Sequence, residues 1–304
     1  MKYGLVFPQT SIGADPIAVR DFAQAVEGAG FDHMLLYDHV TGAHPSRFEE
    51  AGEFRPQNSG RTYTYEAEFH EPLTTIAWLA GQTSTLNFVT SVLVLPQRQT
   101  VLVAKQVAEI DHLSGGRFKF LVGPSWNFTE YEALGTDFAT RGERMEEQIT
   151  VLRKLWTEPL VSFEGQWHHL DRVGINPLPS RPIEIWIGCS ARHRTMKRVA
   201  NFADGWMPLL LPPETPELGV KRLHRYLEEA GRPLDAVGLI PRTYPLRKNA
   251  DGTPADYVGL AKFWQSAGAR EITIHTNTVN PEMPPADILA TALEAKKVLE
   301  QELG

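Results

Sequence analysis

The sequence predicts an α/β chain folded as a (β/α)8 TIM barrel, and three observations carry that prediction. Residues 90–126 read as strand, helix, glycine stop and second strand. Strand-like and helix-like runs alternate in strict order along the whole chain, giving eight strand segments. A length of 304 residues suits one such barrel, which typically takes about 250 residues before insertions.

In the first of these, the run 86–95 is rich in Val and Leu and stops at Pro96. The run 118–122 stops at Gly123-Pro124, and both have the near-continuous apolar character of strands buried on two faces. Between them Val103, Val107 and Ile110 share one helical stripe, and Gly115-Gly116 supplies the left-handed residue that ends such a helix. Two strands so joined are parallel, with a right-handed crossover.

The other elements follow in order. A strand at 3–7 precedes a helix capped by Asp15 with Pro16 at its first position. Strand 33–37, helix 72–80, the βαβ unit and a long helix over 140–156 come next. Strand 183–188, helix 191–202, strand 205–209, helix 215–230, strand 236–241, helix 254–266, strand 271–275 and helix 285–302 complete the series. An open doubly wound sheet of this size would need a switch point and usually a second domain. No linker interrupts the rhythm, so one barrel domain over 1–304 is expected, with insertions at about 41–70 and 159–181.

Composition narrows the partners. Thirty Lys and Arg against 37 Asp and Glu give a net charge of −7 with no basic run able to track phosphates, which argues against nucleic acid. One cysteine, Cys189, excludes an intrachain disulfide and any paired-cysteine metal motif. No window approaches the roughly 20 apolar residues of a membrane span. A cytoplasmic protein without membrane contact is expected.

In this fold chemistry gathers at the C-terminal ends of the strands. Those ends are Phe7-Pro8-Gln9, Asp38-His39, 91–98, 123–127, Gly188-Cys189-Ser190, Pro208, Arg242 and His275-Thr276. Asp38-His39 places an acid beside the one side chain that titrates near neutral pH; it reads equally as a loop histidine beside a turn-capping acid. Gly188-Cys189-Ser190-Ala191 leads from a strand into a helix, so its N–H groups suit a phosphate, or Ser190 is a plain N-cap. Cys189 reads as a turn residue rather than a nucleophile. His275 is the other histidine at a strand end. No Walker loop, dinucleotide fingerprint, nucleophile elbow or zinc spacing is present.

Asp38-His39, SVLVLPQR from Ser91, LSGGRFKFLVG from Leu113, and IWIGCSAR from Ile185 followed by ADGW together resemble the bacterial-luciferase-like flavin and deazaflavin oxidoreductases. Within that superfamily the chain is similar to the branch that uses the deazaflavin coenzyme F-420. The resemblance implies that Asp38 contacts the cofactor ring and that His39 lies near the reacting carbon. It also implies that Ser91-Val92 forms a bulge behind the ring, often with a cis peptide, and that Gly188 to Ala191 holds the phosphate. Gly123, Ser125 and Asn127 fall beside the ring. Sugar-phosphate dehydrogenases of the family carry Gly-Glu at the end of the fourth strand, where this chain has Trp126; an acid is missing, and Trp126 either walls the substrate pocket or packs under the 41–70 insertion. Arg47, Arg55, Arg61, Tyr63, Tyr65 and Phe128 are further pocket candidates. The expected activity is F-420-dependent hydride transfer to or from a small organic substrate. FMN-dependent monooxygenation, with a partner reductase supplying reduced flavin, is the alternative, and a non-catalytic flavin-binding barrel is a third reading. The family commonly forms homodimers.

Overall fold

A computed structural model describes residues 1–50, 64–210, 213–249, 251–276 and 283–304. Eight parallel strand positions close into a ring. In chain order the strands are β1 (Lys2–Val6), β2 (His33–Leu36), β3 (Asn87–Thr90), β4 (Leu93–Val94), β5 (Phe118–Gly123), the hairpin β6 (Val161–Glu164) and β7 (His169–Val173), then β8 (Ile185–Cys189), β9 (Gly205–Pro208), β10 (Gly238–Leu239), β11 (Arg242–Thr243) and β12 (Glu271–Ile274). The ring closes through one broken segment: β10 pairs with β9, while β11, three residues on, pairs with β12.

The third strand position is also interrupted. Val89 faces Lys119, but Leu93 faces Val122, so β3–β4 carries one residue more than β5 across that interval, which is a β-bulge. The Ser91–Val92 peptide at the bulge is cis. Here the Thr90 hydroxyl stands in for the missing ladder, donating to Leu121 O at 2.7 Å and accepting from Leu121 N at 3.0 Å.

Two apolar layers result. Val6, Leu35, Val89, Leu121, Trp186, Met207 and Ile240 fill the barrel interior, so the lumen is packed rather than open. Residues of opposite parity, such as Leu5, Met34, Leu36, Phe88 and Phe120, pack outward against the helices.

The helices match the periodicity closely. Helix α1 (Pro16–Gly28) has Asp15 accepting from Ile17 N at 2.9 Å. The short α2 (Ser46–Glu50) precedes α3 (Pro72–Ala80), and α4 (Thr100–Ser114) ends at Gly115 with φ 63°. Between β5 and α6 (Arg141–Thr157) lies α5 (Phe128–Ala133), a short helix that polar spacing does not announce. Helix α7 (His193–Phe202) starts later than expected, with Arg192 rather than Ser190 at its N-cap. Helices α8 (Pro216–Glu229), α9 (Tyr257–Ser266) and α10 (Pro285–Leu303) complete the described layer. Within the 159–181 insertion, β6 and β7 pair antiparallel. Arg55, Arg61 and Tyr63 lie outside the described residues. Among the described residues no helix is long and apolar enough to cross a membrane.

Candidate active site

A cavity of about 640 Å³ opens at the C-terminal ends of the strands. Its wall includes Tyr37, Asp38 and His39 after β2, Ser91 and Val92 at the bulge, Ser125 and Trp126 after β5, Gly188, Cys189 and Ser190 at the end of β8, and Arg242. Gly123, Asn127, Ala191 and His275 are not part of that lining.

Each loop is fixed by buried polar groups. The Gln9 side chain clamps the chain ahead of the Asp-His pair: its amide donates to Tyr37 O at 2.9 Å and His70 O at 2.8 Å, and its oxygen accepts from Tyr37 N. The Asp38 carboxylate is already engaged on both oxygens. It accepts from Val94 N at 2.8 Å, and from Arg98 at 3.1 Å to Oδ2 and 2.6 Å to Oδ1. Arg98 in turn reaches Glu71 at 3.0 Å, and despite its burial these two carboxylates hold its guanidinium above the usual range. Asp38 thus ties the β2 loop to the far side of the bulge while lining the cavity wall.

His39 has the opposite character. Its Nδ1 lies 3.0 Å from Glu130 Oε1, which also accepts from Val40 N at 2.9 Å. An ionised Glu130 offers only acceptors, so the hydrogen of this contact sits on Nδ1 of His39. Glu130 is wholly buried and comes from α5, four residues after Trp126. Asn127-Phe128-Thr129-Glu130 has the spacing of a capping box; Glu130, at the third position, turns away to the β2 loop instead of back to the cap. Helix α5 is not expected from the sequence, and the contact spans 91 residues, so no local pattern points to it.

The remaining candidates divide. Asn127 is the N-cap of α5, accepting from Thr129 N at 3.2 Å and Thr129 Oγ1 at 2.7 Å, so it shapes the loop from beneath. Gly123 and Gly188 make room for Val92: a Cβ on them would fall 2.8 Å and 2.3 Å from its methyl groups. These glycines therefore seat the bulge. Ala191 N, expected to help hold a phosphate, donates to Glu214 Oε2 at 3.1 Å. Ser190, Arg192, Thr195 and Arg141 line that end of the cavity instead. Burial pushes the Cys189 thiol up to about 12, which excludes a nucleophile there. Ser125, a non-glycine residue at φ 54°, and Trp126 form one wall. Trp126 stands 5.7 Å from Phe48 of α2 and 6.1 Å from His39, ring to ring, so it packs under the insertion and faces the site at once. His275 lies beneath the cavity with Nε2 3.0 Å from the Tyr37 hydroxyl.

Comparison with known proteins agrees with this architecture. The model of the luciferase-like monooxygenase family matches residues 1–290. An uncharacterised protein of Mycobacterium tuberculosis is 33% identical over 210 residues, 69% of this chain and 71% of its own. An FMNH2-dependent dimethylsulfone monooxygenase of Pseudomonas fluorescens is 29% identical over 176 residues, 57% of this chain and 43% of that one. Among solved structures, an F-420-dependent secondary alcohol dehydrogenase in complex with an F-420–acetone adduct superposes with a TM-score of 0.74 at 14% identity, covering 98% of each chain. The closed barrel, the bulge at its third strand and the match across almost the whole length place this chain in the luciferase-like monooxygenase family, as an oxidoreductase.

Proposed function

We propose that the chain is a coenzyme F-420-dependent oxidoreductase that transfers a hydride between the deazaflavin and a small organic substrate. The observation that carries this reading is the His39–Glu130 pair at the rim of a cavity backed by the Ser91–Val92 bulge. The cavity falls within the range of roughly 300–1,000 Å³ typical of small-ligand pockets. Its residues suit a planar ring with a polar tail. Val92, seated between Gly123 and Gly188, offers an apolar surface, and Ser190, Arg192, Thr195 and Arg141 offer donors at one end. When bound, the deazaflavin supplies a ring carbon that gives or takes a hydride. The chain's own part is acid–base and positional. Glu130 holds Nδ1 of His39, so Nε2 exchanges the proton that accompanies hydride transfer, while Trp126 and Phe48 keep water from that side.

The second reading is an FMN-dependent monooxygenase fed by a partner reductase, favoured by the name of the Pseudomonas relative. Anaerobic titration of the purified protein with each cofactor separates the two. F-420 should bind and FMN should bind more weakly; tight FMN binding with no response to F-420 sinks the deazaflavin assignment. His39→Ala should lower turnover by about 10²–10⁴-fold with cofactor affinity retained. Unchanged turnover removes His39 from the chemistry.

A further inference from the structure

Among the described residues Arg242 differs from the other fully buried guanidinium, Arg198. It stands where the seventh barrel position resumes after its break, nine-tenths buried, and it lines the cavity. Its Nη2 donates to Ser91 Oγ and lies 3.4 Å from Ser91 O and 3.2 Å from Met207 Sδ. Nη1 is 3.3 Å from the Tyr37 hydroxyl, whose ring centre lies 5.2 Å from the guanidinium carbon. All these partners are neutral, and Nε–H has none. Three other buried or half-buried guanidiniums are satisfied. Arg98 binds Asp38 and Glu71, Arg198 binds Glu146, and Arg117 places five bonds on the Thr83 hydroxyl and on backbone carbonyls. Among the described residues no carboxylate pairs with Arg242.

A guanidinium has five donors and cannot shed its charge. Burying one beside neutral groups is unfavourable unless a ligand brings the opposite charge, and a planar fork matches a planar oxyanion in two parallel bonds. We propose that Arg242, steadied by Tyr37 and Ser91, is an anion subsite of this cavity. Its ligand is a delocalised oxyanion, presented by the carboxylate of a small organic acid or by the anionic edge of a reduced ring. The inference deepens the oxidoreductase reading and rests on it for the second of these sources.

Benzoate and its neutral isostere benzamide, titrated into cofactor-free protein and read by thermal melting, test the subsite. Benzoate should raise the Tm of the wild type more than benzamide does at equal concentration. Arg242→Met should erase the difference while melting no lower than wild type, because it removes an uncompensated charge. Arg242→Lys keeps the charge without the fork and should retain part of the preference, which covers misfolding of the methionine variant. A ring source reads differently: wild type shows no benzoate preference, while Arg242→Met binds the reduced cofactor at least tenfold more weakly than wild type, with oxidised affinity unchanged. A benzoate preference that survives in Arg242→Met overturns the subsite. So does the absence of any preference in wild type together with an unchanged ratio of reduced to oxidised affinity. Because the benzoate arm uses no cofactor, failure of the cofactor assignment leaves its result standing.

Discussion

Two neighbouring residues, Asp38 and His39, share a loop and have different work because of what reaches them. Arg98 and the Val94 amide engage both oxygens of Asp38, so it holds the loop against the bulge. Glu130 takes only one nitrogen of His39 and thereby sets the tautomer. That arrangement predicts that Glu130→Gln, which keeps an acceptor for Val40 N but loses the charge, lowers kcat by about 10–100-fold, the usual effect of removing an orienting partner. KM should change little. Steady-state kinetics with circular dichroism as a fold check decide it; a pure KM effect would assign Glu130 to loop structure alone.

Besides the apolar packing of helices on strands, single acids tie neighbouring elements together. Glu147 of α6 accepts from Gln166, Trp167 and His168 backbone N–H groups at 2.8–2.9 Å and lies 2.7 Å from His168 Nδ1. It therefore caps the turn of the β6–β7 hairpin. Burial alone would raise its pKa, but His168 and the amides outweigh burial and hold it below the usual glutamate value. A folded-state pKa below the unfolded one stabilises above the unfolded value of about 4.3 and loses that contribution as pH falls through the folded value. The protection of the Gln166, Trp167 and His168 amides, their exchange rates taken relative to the intrinsic rate at each pH, should therefore fall selectively below about pH 4.3, ahead of global acid unfolding. In Glu147→Ala the same amides should exchange fast at neutral pH, with stability lower by about 1–3 kcal/mol. Protection that stays constant with pH would show that the anchor contributes nothing to the turn.

At the scale of the whole molecule, the barrel closes because small residues meet large ones across strands. The Trp186 ring lies over Gly205 of β9 and Gly238 of β10, where a Cβ would approach it to 2.0 Å and 2.6 Å. His33 covers Gly4 in the same way. Those contacts fill the end of the lumen opposite the cavity, and rigidity there supports the loops above. Gly205→Ala should destabilise by about 1–3 kcal/mol through overpacking, seen as a lower urea midpoint with an unchanged slope. Trp186→Phe placed on top should recover part of the loss. Additive effects of the two substitutions would show that the clash is not the cause.

Periodicity and the residues that end helices were enough to predict eight parallel strands, most helix bounds and the face that bears the site, because burial on both sides and capping are local properties of a run. Asp38-His39, Ser91 and the turn after β8 were legible as strand-end residues for the same reason. What each of them does was decided only in three dimensions. Arg98 reaches Asp38 across 60 residues, Glu130 reaches His39 across 91 and Arg242 reaches Ser91 across 151, and no local pattern encodes such partners. The sequence by itself determined the barrel and which residues stand at the ends of its strands. The tertiary structure decided which acid is spent on holding a loop, which one orients the histidine, and which cation is left buried facing the cavity, since a side chain's role follows from the partner that reaches it.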